Sequence, residues 1–462
     1  MKKCQNMFHL GVLLLSLCCL LLSMISCSGD GQSAENTTVS EPDEEYTSEH
    51  QDTEQGVMIA ETPLSDYTIV YETERDGYAE IAERLRNMIS DSFSIKLPLY
   101  ADNDHEEVGA EILIGKTNRS LSTSVYTEKS PQLMTYEVIV RQNKLQIVCG
   151  GPYSARQCVD SLRSSLSSLE KKGEYFATDL APDTAELAAD ANLRVMTSNV
   201  LAARWGEDSN SAVARLIPPV SQRVEIFAAL LADYKPDVIG MQEGDQKWID
   251  QLPVYLEILK RDYGIEYTWV FPTYEGVQNL TSILYRSDKY DLVASDVKVN
   301  SYWDVSQKNY HLRLYAWVKL QEKAVSANEF IVLNTHWAWE SADWVEKSVS
   351  EEIELVNSLR SQYGVPIFCT GDFNSNQYSA DYSRFVSKAG VADLCPQAEN
   401  IGALINECGG CGSIGSPRTD KSYIDHIFGV GSYTSLRYET IVGNQIQWLS
   451  DHAPHIADIK LN

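Results

Sequence analysis

The chain has 462 residues, 65 of them acidic and 38 basic, which gives a formal net charge of −27. A hydrophobic fraction of 44% and a charged fraction of 22% are ordinary for globular proteins and exclude a mostly disordered or fibrous chain. The acidity argues against a basic coat that tracks nucleic-acid phosphates, while leaving room for a localised phosphate site.

Lys2 and Lys3 precede an apolar run from Leu10 to Ile25, the layout of a secretory signal, with an uncleaved anchor helix as the alternative. The end of the run separates the two. Met24-Ile25-Ser26-Cys27 resembles the lipobox of bacterial lipoproteins, in which the Cys is lipidated after cleavage just before it. That resemblance implies a signal peptide over residues 1–27, a lipid on Cys27, export, and anchoring to the cell membrane or surface. Residues 28–57 carry Asp30, Glu35, Glu41, Asp43, Glu44, Glu45, Glu49, Asp52 and Glu54 without a single Lys or Arg. Such a segment buries too little apolar surface to offset its chain entropy, and it reads as an acidic, disordered tether. No later stretch is apolar enough to span a bilayer.

Residues 58–180 read as a small α+β unit. Tyr67–Tyr71, Glu111–Gly115, Tyr136–Val140 and Leu145–Cys149 are short β-rich runs, and Gln142-Asn143 marks a hairpin turn between the last two. Tyr78–Ile89 places Ile81, Leu85, Met88 and Ile89 at helical spacing, and a second helix is expected over Ser154–Leu169. This unit loosely resembles the noncatalytic α/β domain that precedes the catalytic domain of some bacterial glycoside hydrolases, and it shows no catalytic constellation. A packing or substrate-presenting role is expected.

Residues 181–192 form a linker, and 193–462 a layered α/β domain. Its expected strands are Arg194–Val200, Val238–Gln242, Ser282–Arg286, Leu314–Leu320, Phe330–Thr335, Pro366–Thr370, Tyr423–Val430 and His455–Leu461. Gln222–Tyr234 and Trp344–Tyr363 are helical by their apolar spacing.

Polar residues fall where these apolar strands end. Asn199 closes RVMTSN, Glu243 closes DVIGMQE and His336 closes FIVLNTH. Asp372 and Asn374 lie in PIFCTGDFN, Asp425 and His426 in YIDHIFGV, and Asp451 and His452 in SDHAPH. One such group against an apolar strand is usually a satisfied core residue, because an unpaired one is costly. Six strand-linked runs point instead to strand ends converging on one spot.

The order Asn…QE…NTH…GDFN…DHIF…SDH resembles the endonuclease/exonuclease/phosphatase superfamily, typified by pancreatic deoxyribonuclease I, over Leu193–Leu461. The resemblance implies a DNase I-like four-layer α/β sandwich, two packed β-sheets flanked by helices, with the site at one edge. It implies hydrolysis of phosphate mono- or diesters with Mg²⁺ or Mn²⁺. By the same resemblance Glu243 is the metal carboxylate, Asn199 assists it, and Asp451 lies beside the metal. Asp372 and Asn374 position or activate the attacking water, and His336 contacts the scissile phosphate. His452 is the second essential His, with Asp425 as its carboxylate partner. His426 stands where members often have Tyr and is read as packing. Asn199 is followed by Val-Leu where some DNA-repair members carry an acid two places on, which leaves one or two metals open. Arg286 and Arg313 are candidates to reach a phosphate, or else surface and structural residues. Trp303, Trp337, Trp339 and Trp344 lie near the His336 run and read as core or rim packing, with stacking on a base, sugar or lipid head group as the alternative.

Six cysteines lie beyond the signal: Cys149, Cys158, Cys369, Cys395, Cys408 and Cys411. In an exported protein a Cys149–Cys158 bridge and one among Cys395, Cys408 and Cys411 are candidates. Cys408-Gly-Gly-Cys411 lacks the two further ligands of a zinc site.

The expected activity is that of a metal-dependent phosphoesterase. Residues 192–462 carry 34 acids against 23 bases, or −11, so a small phosphate ester or lipid head group is favoured over nucleic acid as the partner. The alternatives are a noncatalytic glycan-binding surface lipoprotein on a hydrolase-like fold and an extracellular nuclease. A glycoside hydrolase would need a defined acid pair, whereas here the acids come bundled with two His and two amides.

Overall fold

The computed structural model describes residues 57–59, 62–162, 175–179, 186–209, 217–302, 313–402, 423–441 and 446–462. The signal with Cys27, the tether before residue 57, linker residues 181–185, Trp303, Cys408 and Cys411 lie outside the described residues. Among the described residues no helix is long and apolar enough to cross a membrane.

Residues 68–179 build a six-stranded sheet in the order Leu99–Ala101, Thr68–Tyr71, Glu111–Ile114, Lys144–Cys149, Thr135–Arg141, Tyr175–Asp179. The first four strands run parallel and the last two antiparallel to their neighbours. Gln142 and Asn143 both take positive φ, 53° and 59°, as the tight hairpin turn requires. The Tyr78–Phe93 helix buries Ile81, Leu85, Met88 and Ile89 on this sheet. The Ser120–Lys129 helix has too weak an apolar stripe to be seen from sequence. The expected second helix starts at Pro152 and is described as far as Leu162.

Residues 193–461 form two further sheets. One has seven strands, in the order Tyr267–Val270, Thr281–Arg286, Val238–Gln242, Leu193–Asn199, His455–Leu461, Tyr433–Thr440, Asn400–Ile401. The other has six, in the order Tyr290–Val299, Leu314–Glu322, Glu329–His336, Ile367–Asp372, Asp425–Val430, Ala392–Asp393. Leu193, Val195, Val238 and Ile283 from the first interdigitate with Val318, Val332, Phe368 and Ile427 from the second. On the outer faces, Met196, Ile239 and Met241 pack under the Val220–Tyr234 helix. Ile331, Leu333 and Cys369 pack under the Ala342–Tyr363 helix. The result is the expected helix–sheet–sheet–helix sandwich. The latter helix starts at Ser341, whose side chain accepts a hydrogen bond from the Trp344 backbone N–H, and stops at Gly364 with φ 64°. The Val220–Tyr234 helix is buried almost all round, because it lies between the seven-stranded sheet and the 68–179 unit.

A polar clamp joins the two sheets just below their site edge. Asn334 donates from Nδ2 to the Met241 and Ser282 carbonyls at 2.9 and 2.8 Å, and its Oδ1 accepts from Gln242 Nε2 at 2.6 Å. Gly240 permits this approach, since a Cβ there would stand 2.0 Å from Thr370 Oγ1. The clamp fixes the relative height of the strand ends, so the residues one step further on meet.

The expected Cys149–Cys158 bridge is corrected, while a pairing of Cys408 with Cys411 lies outside the described residues. Among the described residues Cys149, Cys158, Cys369 and Cys395 are all buried and unbridged. Cys149 is instead in hydrogen-bond contact with the hydroxyls of Tyr78 and Tyr126, at 3.6 and 3.5 Å.

Candidate active site

Strand register brings the polar residues together. His336 is opposite Asp372 across a parallel pair, and Asp372 is opposite Asp425 across an antiparallel pair, so the three form one row over adjacent strands. On the facing sheet Asn199 is opposite Gln242, and Glu243 follows at once with φ 65°. His452 and Asp451 arrive on the segment that leads into His455–Leu461, which pairs with the Asn199 strand.

The two sheets meet at Asn199. Its Nδ2 donates to Glu243 Oε1 and to Asp372 Oδ2, each at 3.2 Å. Its Oδ1 accepts from the Leu201 backbone N–H at 3.0 Å, which sets the amide orientation. Asn199 therefore presents an NH₂ group to the acids. It joins the two acids by hydrogen bonding. Glu243 Oε2 accepts from the Ala202 N–H at 3.1 Å. Asp372 Oδ1 accepts from the Asn374 N–H at 2.9 Å, and Asn374 Nδ2 donates to the Trp337 carbonyl at 2.9 Å. Asn374, with φ 47°, thus holds the turn that presents Asp372.

His452 Nδ1 lies 2.7 Å from Asp425 Oδ2, and its Nε2 lies 3.8 Å from Asp372 Oδ2. Burial works against its charge, but Asp425, Asp372 and Asp451 together hold the imidazole well above its usual pKa. His336 Nε2 lies 3.4 Å from Asp372 Oδ2, and its buried Nδ1 has no hydrogen-bond partner among the described residues. Burial, then Arg313, His452 and Arg204, push His336 well below the usual range. The site therefore pairs a cationic imidazole with a neutral one. Burial, opposed by His452 and assisted by Asp425, pushes the Asp372 carboxyl up to about 7. Asp451 is part-exposed beside Ser450, whose hydroxyl donates to it at 3.3 Å.

The donor set fits a hard divalent cation. Asp425 Oδ1 is buried without a hydrogen-bond partner among the described residues, and carboxylates at this density repel one another unless a cation or proton intervenes. Ligand atoms of Asp372, Asp425 and His452 lie within 4.8 Å of one another. A protonated His452, however, has no lone pair to give at Nε2. The oxygens of Glu243 and Asp372, joined through Asn199, are the better cradle.

Other expected residues separate from the site. Arg286 is at the far end of its strand from Thr281, the site end, about 16 Å away at the usual rise per residue. It pairs with Asp288 there, so its candidacy for phosphate binding is corrected. Arg313 is buried and close to the site, donating to the Trp337 carbonyl at 3.1 Å and to Glu340 at 3.2 Å. His426 is fully buried between Asp393 Oδ2 (3.2 Å from Nδ1) and the Ser375 carbonyl (3.0 Å from Nε2) and stacks on Phe428, which is a packing role. Trp337 is core, with Nε1 donating to the buried Glu352 at 2.5 Å. Trp344 stacks on Tyr302, and Trp339 is 65% exposed.

Sequence reasoning missed Arg204. It lies in the loop after Asn199, its charge acts on Glu243 and His336, its guanidinium covers the Trp205 ring at 5.0 Å, and its buried Nε has no hydrogen-bond partner among the described residues. A lone Arg five residues after a strand end carries no pattern to flag it.

The sequence model of the Endonuclease/Exonuclease/phosphatase family matches residues 196–452, more than half of the chain. The protein angel of Drosophila melanogaster is 28% identical over 170 residues, 35% of this chain, and the match spans 46% of that protein's length. Among solved structures, an endonuclease/exonuclease/phosphatase from Bacteroides vulgatus is 19% identical with a TM-score of 0.47, over 58% of this chain and 99% of its own. A mannosyl-6-phosphatase from Bacteroides thetaiotaomicron is 22% identical with a TM-score of 0.45, over 58% and 99%.

Proposed function

Since this chain belongs to the endonuclease/exonuclease/phosphatase family, we propose that it hydrolyses phosphate mono- or diesters with Mg²⁺ or Mn²⁺. The observation that carries the reading is the row His336–Asp372–Asp425 with His452 held against Asp425 at 2.7 Å. Glu243 and Asp372, joined through Asn199, would hold the cation together with Asp451, and the cation would offset phosphate charge and lower the pKa of bound water. Asp372, whose carboxyl burial pushes up to about 7 without a cation, would ionise as the cation binds and, held by the Asn374 N–H, orient the attacking water. The imidazolium of His452 donates toward the charge that builds on the phosphorus oxygens, and Asp425 fixes its tautomer. Neutral His336 donates a hydrogen bond to the phosphate, and Arg313 adds positive charge behind it.

The proposed substrate is a small phosphate ester or a lipid head group, with nucleic acid less favoured. The net −11 over residues 192–462 supports this. Anchoring through a lipid on Cys27 is part of the proposal and is supported by residues 24–27.

The test is hydrolysis of bis-p-nitrophenyl phosphate by the purified full chain in detergent, followed by a panel of sugar phosphates, phospholipids, DNA and RNA. Turnover is expected only with Mg²⁺ or Mn²⁺. Activity that survives excess chelator overturns the cation assignment, and preference for DNA or RNA overturns the substrate assignment.

A further inference from the structure

Glu225 and Arg223 stand two residues apart on the Val220–Tyr234 helix and reach in different directions. Glu225 is fully buried against the 68–179 unit. Its carboxylate accepts from the backbone N–H groups of Met134, Tyr153 and Ser154 at 2.9, 2.7 and 3.2 Å, and from Ser154 Oγ at 2.8 Å. Tyr153 and Ser154 open the Pro152–Leu162 helix, so this helix is capped by an acid from outside its own unit. Gly151 makes the approach feasible, because a Cβ there would stand 2.4 Å from Glu225 Oε2. Leu133, Met134 and Tyr153 complete the contact by joining the apolar cluster of Phe227 and Leu230.

Arg223 is also fully buried, yet it faces carbonyls only. It donates to Pro218, Val200, Leu201 and Leu449, and its guanidinium covers the Trp248 ring at 5.3 Å. Val200 and Leu201 follow Asn199, and the next residue, Ala202, donates to Glu243. Leu449 precedes Ser450-Asp451-His452. One guanidinium thus ties together the two loops that hold the cation side and the imidazolium side of the site.

We propose that the 58–180 unit is a brace for the active site. Docking on Glu225 fixes the Val220–Tyr234 helix, and Arg223 on that helix fixes both site loops. Arg223 is a positioning residue, and Glu225 is its link to the neighbouring unit. The bracing itself needs no assumption about substrate, and only its effect on turnover rests on the phosphoesterase reading.

The test compares Glu225→Leu, Glu225→Gln, Gly151→Ala, Arg223→Met and Arg223→Lys in the full chain, using hydrogen–deuterium exchange, thermal unfolding and steady-state kinetics. Glu225→Leu and Gly151→Ala are expected to raise exchange about tenfold in segments 199–206 and 446–453, which Glu225 does not touch. They lower kcat with little change in KM. Glu225→Gln, whose amide oxygen still accepts, restores most of both. Arg223→Met loosens the same two segments and leaves 132–134 and 151–156 unchanged, while Arg223→Lys falls between. Should Glu225→Leu fail to fold, Gly151→Ala carries the same comparison. Should the parent show no turnover, exchange alone decides. The brace is overturned if loosening stays confined to 132–134 and 151–156 while the site loops behave as in the parent.

Discussion

His452 Nδ1 and Asp425 Oδ2, 27 residues apart in the chain, lie 2.7 Å apart at the edge where the two sheets meet. The bond leaves Nε2 facing Asp372 and holds the His452 imidazole well above its usual pKa. A group with a raised pKa contributes stability that is fully present below its unfolded value and is lost as pH rises through the folded one. In the parent, activity that depends on the imidazolium therefore extends to alkaline pH.

Asp425→Asn removes the largest source of that upward shift. The alkaline limb of the kcat/KM profile is expected to move to lower pH, and the maximal rate to fall by about 10²–10⁴. A pH–rate series on the parent and variant checks this. An unmoved alkaline limb would show that His452 does not set it.

Asp372, pushed up to about 7 chiefly by burial, behaves in the same sense over a lower pH range. Without a cation the folded chain binds a proton there that the unfolded chain releases near 4, so this group's contribution to stability falls as pH rises from about 4 to 7. Asp372→Asn is expected to abolish turnover and to raise the Tm of the cation-free protein at pH 8 by about 2–4 °C, the shift that goes with about 1 kcal/mol in a large domain. Calorimetry in chelator measures it.

Cation binding should release protons, since Asp372 must ionise to take part. Isothermal titration with Mn²⁺ at pH 6 and pH 8 is expected to show tighter binding at the higher pH and a heat that depends on buffer ionisation. Equal affinity at both would separate Asp372 from the cation.

Asn199→Ala removes the amide that joins Glu243 to Asp372 and leaves the Leu201 N–H without its acceptor. Cation affinity or activity is expected to fall 10–100-fold, the usual effect of losing an outer partner of a metal ligand. The same titration, run beside the activity assay, reads it.

His426→Ala should do the reverse. It removes one partner of Asp393, which keeps the Tyr382 and Tyr423 hydroxyls, and the buried contact of the Ser375 carbonyl, so a loss of about 1–3 kcal/mol in stability is expected. kcat of the folded fraction should hold, because His426 faces away from Asp372. Denaturant unfolding paired with active-fraction kinetics distinguishes the two effects.

Much of the sandwich was legible in advance because apolar β runs and amphipathic helices have distinct periods. Val238–Gln242 and His455–Leu461 fall where the pattern put them, and the Ala342–Tyr363 helix starts two residues earlier than expected. Strands Tyr267–Val270 and Tyr433–Thr440 and the Gln246–Ile258 helix were not read from the pattern. Tyr290–Val299 is largely solvent-facing, and Asp291, Ser295, Asp296 and Lys298 interrupt its apolar residues, so it lacks the apolar run of a buried strand.

The sequence by itself determined which residues are chemically committed: acids, amides and imidazoles at the ends of apolar strands, in one family's order. It could not assign their roles, because adjacent strand residues point to opposite faces. Asp425 and His426 are neighbours, and only the pairing of Asp372 with Asp425 decides that the acid enters the site while the imidazole enters the core. Tertiary structure alone also removed Arg286, brought in Arg204, and turned the amide of Asn199 toward the carboxylates. Register, amide orientation and desolvation depend on partners far away in the chain, and no local pattern encodes them.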